Sequence, residues 1–245
     1  MLIPHGLLVL ENDLKIAAVA AALLWVATGC KRRPLEVTPE DPCGRPGVVR
    51  EFELTLGPND DEPLVGASVT ESRCGHMGRT DRGGRVAISV PVGSCFHLLV
   101  DHPDAVPAAI GLFSSDARAQ GHWEIPPRSF AVPLGVSGAD GVLIPRWKAT
   151  DGRHDGDGIH AEVVGHPEAV ATYYDRQMQP VLGANATVEG RSAYLSLGGI
   201  AGGPAVSVAL TKPTMAFRVN PESVGMCEKI PVIDGRVSLF LAMLL

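Results

Sequence analysis

Pro63-Leu64-Val65-Gly66-Ala67-Ser68-Val69-Thr70, then Thr80-Asp81-Arg82-Gly83-Gly84-Arg85-Val86-Ala87-Ile88-Ser89-Val90-Pro91-Val92-Gly93, then Phe96-His97-Leu98-Leu99-Val100: in this stretch short apolar runs alternate with glycine-bearing turns, and its reading decides the fold. Val86, Ile88 and Val90 occupy every second position, the period of a strand with one buried face. Gly83 and Gly84 suit a tight turn, because glycine takes positive φ without steric cost. Pro63–Thr70 is expected to form one strand entered through a glycine, and Phe96–Val100 another. Upstream, Val48–Leu56 sets Phe52, Leu54 and Leu56 on one side and Glu51, Glu53 and Thr55 on the other, the pattern of a half-buried strand. Gly57-Pro58-Asn59-Asp60-Asp61 follows as a turn.

The rest of the chain agrees with that period. Among 245 residues there are 28 Gly and 20 Pro. Helix interiors tolerate neither, whereas short strands joined by many turns absorb both. The reading is therefore all-β. A net charge of -6 gives no basic face for a phosphate backbone, so no nucleic-acid partner is expected.

The succession PLVGASVT, TDRGGRVAISVPVG and FHLLVDHP resembles the carboxypeptidase regulatory-like domain, a small transthyretin-like β-sandwich, over about residues 48–113. The resemblance implies a scaffold module with no catalytic residues of its own. A similar pattern recurs downstream. Met178–Thr187 parallels PLVGASVT, Val188–Arg191 supplies a turn before Ser192–Leu197, and Gly202-Gly203-Pro204 precedes Ala205–Thr211; Ile159–Val164 stands where Val48–Leu56 stood. The expected architecture is two small Greek-key, transthyretin-like sandwich units at 48–113 and 155–245, the repeat itself spanning about 155–212. The connecting segment 114–154 is expected to hold edge strands around Phe130–Leu134 and Gly141–Ile144. Met215–Val219 and the run Val237–Leu245, after a turn at Gly235, are expected as closing strands.

Ahead of these units, Ile16–Ala27 (IAAVAAALLWVA) is apolar and uncharged, and Thr28-Gly29-Cys30 precede Lys31-Arg32-Arg33. The run is too short to span a hydrocarbon core of about 30 Å and suits the apolar part of a secretory signal. ATGC resembles the bacterial lipobox, with Ala27 where leucine is usual. That resemblance implies cleavage before Cys30, lipidation of its sulfur, and a bacterial lipoprotein with residues 1–29 as signal and 30–47 as tether. At about 0.8 kcal/mol per buried CH₂, two or more acyl chains hold a protein on a membrane. Glu11 and Asp13 sit where a signal should be positive, so residues 1–13 are expected to be an extension of the gene model, with the true start near Leu14.

Four further cysteines remain: Cys43, Cys74, Cys95 and Cys227. An even number suits disulfides in an oxidising compartment. Three pairings exist; Cys74–Cys95 with Cys43–Cys227 is the first guess. No C-x₂-C spacing points to zinc.

There is no G-x-S-x-G, H-E-x-x-H or P-loop, and the glycines of 198–203 do not follow a phosphate-binding order. No catalytic residue, cofactor or metal is assigned. His97 lies out of phase with Phe96 and Leu98. His102 with Asp104 and His166 with Glu168 occur in similar turns, DHPDAVPAA and GHPEAVATY; His76, His122, His154 and His160 share no register. Asp151, Asp155 and Asp157 invite calcium but miss the EF-hand order. Trp123, Trp147, Tyr173 and Tyr174 are candidates for a binding surface or for core filling. The sequence leads to a non-enzymatic, lipid-anchored envelope protein, at the outer membrane, presenting loops to a protein or glycan partner. The alternative is an accessory or divergent metal-assisted hydrolase subunit.

Overall fold

The structure, a computed structural model, describes residues 47–57, 62–91, 95–113, 121–149, 158–175, 177–187, 194–212, 217–219 and 229–244. The segments 1–46, 58–61, 92–94, 114–120, 150–157, 188–193, 213–216 and 220–228 and residues 176 and 245, and with them Cys30, Cys43, Cys227, His154 and the Asp151–Asp157 loop, lie outside it. Everything below refers to the unit Val37–Leu245.

Seventeen strands are described: β1 (Gly47–Leu56), β2 (Glu62–Pro63), β3 (Ser68–Glu71), β4 (Met77–Arg79), β5 (Arg85–Pro91), β6 (Cys95–Asp101), β7 (Ala108–Phe113), β8 (Gly121–Ile125), β9 (Asp140–Ala149), β10 (His160–Val163), β11 (Val170–Tyr174), β12 (Tyr194–Ala201), β13 (Gly203–Val206), β14 (Val208–Thr211), β15 (Phe217–Val219), β16 (Ile230–Val232) and β17 (Val237–Leu244). The architecture is all-β. A nine-stranded sheet runs β11-β12-β9-β17-β7-β6-β3-β4, with β15 beside β17; a four-stranded sheet holds β2, β1, β5 and β8; β10–β14 and β13–β16 pair separately.

Two cores lie on the two faces of the large sheet. One joins Phe52, Leu54, Val86, Ile88 and Ile125 of the small sheet to Val69, Phe96, Leu98 and Ile110 of the large one. The other joins Ala161, Val163, Val208, Ile230 and Val232 to Leu195, Leu197 and Tyr173. Central strands serve both: Val142 and Ile144 enter the first core and Leu143 the second, and Val237 and Leu239 oppose Phe240. Each fully buried Leu or Phe contributes about 1.5–3 kcal/mol. Segments 48–113 and 155–245 thus contribute neighbouring strands to one sheet.

Alternation places most of these residues as expected: Val86, Ile88 and Val90 of β5 and Phe96, Leu98 and Val100 of β6 are buried. Several expectations need correction. Pro63–Thr70 is not one strand. Pro63 pairs with β1 in the small sheet, Ser68 pairs with β6 in the large one, and the chain crosses between them at Val65–Gly66, where Gly66 has φ 81°. Thr55 is buried rather than solvated, because β8 lies parallel along β1 with Glu124 opposite it. Phe130–Leu134 is no strand: a short 3₁₀ turn over Arg128–Phe130 continues through the Leu134 N–H bonded to the Phe130 carbonyl, and Pro133 could not serve a ladder. Gly141–Ile144 is no edge, for β9 sits between β12 and β17. Met178–Thr187 contains no strand; Pro180, Gly183 (φ 75°) and Met178 (φ 59°) turn the chain instead.

The final run lies at the centre of the large sheet, parallel to both β7 and β9. Burial on both faces explains why it reads as nearly continuous apolar sequence. In β12, Gly198-Gly199 marks a register shift against β9, with Gly199 at φ 74°, which gives that glycine-rich stretch a structural use.

Candidate functional site

The hairpin between β3 and β4 concentrates the most chemistry. Its turn is closed by the Glu71 N–H to the His76 carbonyl at 2.8 Å and the Gly75 N–H to the Glu71 carbonyl at 3.0 Å. Glu71 is fully buried; its carboxylate oxygens accept from the Arg73 N–H (2.8 Å) and the Cys74 N–H (2.6 Å). Ser72 Oγ accepts from the His97 N–H at 3.2 Å and lies 3.4 Å from His97 Nδ1. Arg73 donates to the Cys95 carbonyl at 3.3 Å. Cys74 and Cys95 are each disulfide-bonded. Burial holds His97 below the usual imidazole range; Glu71 opposes this shift and Arg73 adds to it. A serine, a histidine and a glutamate meet here, but the Glu71 carboxylate is spent on backbone amides and Ser72 serves the His97 amide. The arrangement builds a turn and activates no nucleophile.

A second polar group lies where β1 and β8 run together. His122 Nε2 is 3.3 Å from Thr55 Oγ1, and the imidazole nitrogens are 3.9 Å from Glu53 and Glu124. Arg146 of β9 donates to Glu124 at 3.1 Å and to the His122 carbonyl at 2.5 Å, its guanidinium 5.9 Å from the Trp123 ring centre. Arg85 pairs with Glu53 at 3.7 Å. The charged side chains here are partly exposed, so each ion pair contributes only about 0–1 kcal/mol. Arg146 caps a carbonyl on β8, a terminal strand of its sheet, and so guards an edge against further pairing.

Of the other described histidines, His76, His102 and His166 lie in turns and His160 begins β10. His102 Nε2 donates to the Val65 carbonyl (3.0 Å) while Nδ1 accepts from the Asp104 N–H (3.2 Å), tying the sheet crossover to the turn after β6. His166 contacts Glu168 at 2.8 Å, and that hydrogen bond lowers the Glu168 pKa. His160 reaches the Asn185 carbonyl at 2.6 Å, and His76 closes the hairpin through its backbone. Among the described residues no group of three or more His, Cys, Asp or Glu could hold a metal ion, and no helix is long and apolar enough to cross a membrane. Of the two roles open to the aromatics, core filling holds for the three whose side chains are described. Trp123, Tyr173 and Tyr174 are buried, Tyr174 donating to the Pro133 carbonyl at 2.9 Å beside Ser196 Oγ; burial raises the pKa of both tyrosines. The side chain of Trp147 lies outside the described part. Sequence reasoning assigned no role to Glu71, Thr80 or Arg146, since a single polar residue carries no local signature of the distant groups it will bond.

No protein-family model matches the chain, and no curated protein matches it. Solved structures do. The Bacillus anthracis TIE protein is 12% identical, covering 80% of this chain and 34% of that one, with TM-score 0.26. The shaft pilin SpaA from Lactobacillus rhamnosus GG is 12% identical, covering 81% and 98%, with TM-score 0.23. GBS52, the minor pilin of the Gram-positive pathogen Streptococcus agalactiae, is 9% identical, covering 80% and 96%, with TM-score 0.23. At these scores the likeness transfers neither topology nor function. One expectation is withdrawn on these findings: the matched structures come from Gram-positive organisms, whose envelopes have no outer membrane, so the outer-membrane placement is dropped.

Proposed function

We propose that this chain is a non-catalytic structural or adhesive protein of the bacterial cell envelope, anchored to a membrane through lipid on Cys30 and presenting its loops to a protein partner, with a glycan as the alternative. The observation that carries the non-catalytic reading is the use of the described polar side chains. Glu71, Thr80, His102, Asp175 and Asp81 each close a turn or bridge two strands. The anchor rests on the ATGC sequence and the apolar run before it. The transthyretin-like identity of 48–113 rests on its motif, supported by the Asp81 turn: the Asp81 carboxylate accepts from the Gly83 and Arg85 amides, which lowers its pKa. On the sequence pattern we retain 48–113 as a first β-sandwich unit and 155–245 as a second, divergent β-rich unit, and Cys74–Cys95 with Cys43–Cys227 as the disulfides.

Mass spectrometry of the membrane-extracted protein tests the anchor. A diacylated or triacylated Cys30 at the N-terminus is the expected result; an intact segment 1–29 overturns it. Cross-linking in cells should capture a discrete envelope protein. Binding to isolated cell-wall polysaccharide alone would move the assignment to a glycan, and hydrolysis of ester or peptide substrates by the purified protein would overturn the non-catalytic reading.

A further inference from the structure

Glu71 is the only carboxylate among the buried polar residues described. A buried carboxylate is costly unless hydrogen bonds compensate it, and here both oxygens accept backbone N–H groups, one of them from Cys74 itself. In the β3–β6 ladder Glu71 faces Leu98. Past Glu71 the chain leaves the ladder for the turn but stays beside β6: the Ser72 N–H bonds the His97 carbonyl at 2.9 Å, and the Arg73 guanidinium reaches the Cys95 carbonyl at 3.3 Å. Both cysteines are half-exposed and both are disulfide-bonded. The turn that Glu71 shapes therefore holds the segment bearing Cys74 beside the start of β6, which bears Cys95, at the end of the large sheet formed by β3 and β4.

We propose that Glu71 is a positioning residue that sets the redox poise of a Cys74–Cys95 disulfide, keeping it oxidised as a latch on the β3–β4 edge hairpin. This rests on the reading that these two cysteines are bonded to each other. Two effects act together. In the reduced protein the Glu71 cap holds residues 71–75 in their closed form, so the two thiols stay at high effective concentration and ring closure costs little further entropy. The carboxylate beside Cys74 also disfavours its thiolate, the species that exchanges with external disulfides and thiols. The Arg73 guanidinium, which donates to the Cys95 carbonyl, opposes the second effect and leaves the first intact. The reaction is ordinary exchange: two glutathione thiols reduce the protein disulfide, their sulfurs join as glutathione disulfide, and both protein sulfurs end as thiols.

The test uses the full chain equilibrated in glutathione buffers of graded ratio, with thiol trapping and peptide mass spectrometry. A disulfide map comes first; a link from Cys74 to Cys43 or Cys227 overturns the pairing and the inference with it. Given the Cys74–Cys95 link, Glu71→Gln should shift the equilibrium about tenfold toward the reduced form, about 30 mV for two electrons. Glu71→Asp, which keeps the charge but shortens the reach, should shift it less. Thr80→Val, which weakens the same sandwich away from this turn, is the control. An unchanged midpoint in both Glu71 variants, or an equal shift in Thr80→Val, overturns the proposal while leaving the pairing intact.

Discussion

Pro63-Leu64-Val65-Gly66-Ala67 and Pro180-Val181-Leu182-Gly183-Ala184 share one pattern and, up to the glycine, one conformation. Gly66 has φ 81° and Gly183 φ 75°, and the residue before each is exposed, Val65 at 48% and Leu182 at 96%. Beyond the glycine they part. After Ala67 the chain becomes β3, paired on both sides by β6 and β4, with Leu64 and Ala67 in the core. After Ala184 no strand forms before Thr187. The first turn is clamped from a distance: the buried Thr80 hydroxyl donates to the Leu64 carbonyl and accepts from the Ala67 N–H. The second closes locally, Ala184 N–H to the Val181 carbonyl at 3.3 Å, and leans on β11 through the Val181 N–H to Tyr173 at 2.8 Å. A turn is encoded by its own residues; a strand needs a neighbour.

The largest effect should come from Gly84→Ala. Gly84 has φ 72°, and a Cβ there would collide with the Leu54 carbonyl and press on Pro63, so a loss of about 3 kcal/mol is expected in denaturant unfolding. Thr80→Val strands the Leu64 carbonyl and the Ala67 amide and should cost about 2 kcal/mol. Gly66→Ala and Gly183→Ala meet open space at both sites and should cost about 1 kcal/mol each through φ alone. Unequal costs would break the equivalence of the two turns.

Acid should separate the regions further. Burial lowers the His97 pKa, so the folded chain binds fewer protons than the unfolded one just below the ordinary imidazole value of about 6.5. Stability is then complete above that value and falls as pH drops below it; His97→Gln should flatten the slope of Tm between pH 7.5 and 5. Smallest of all, Leu182→Ser should change stability by less than about 0.5 kcal/mol, because nothing packs over that tip.

The DHPD and GHPE turns teach the same lesson. In each, an alanine N–H bonds back to the histidine carbonyl, Ala105 to His102 and Ala169 to His166. Yet Val106 is fully buried and Val170 is 61% exposed, since only the first lies between the two packed sheets. The strand β8 escaped notice because Gly121–Ile125 is short and half polar; Trp123 and Ile125 point inward, and His122 and Glu124 outward. The half-buried Cys74 and Cys95 were legible as candidates, whereas the Glu71 cap was not, because its meaning depends on which amides the fold brings to it.

By itself the sequence determined the all-β class, the turns at Gly84 and Gly235, and the faces of β5 and β6, all through period and glycine placement acting over a few residues. Only the tertiary structure decided that the chain changes sheets at Val65–Gly66, that β17 runs parallel between β7 and β9, and that one sheet divides two cores. Those outcomes depend on contacts between residues distant in the chain, as where Val237 meets Ala108, and no local pattern records which apolar run will lie beside which.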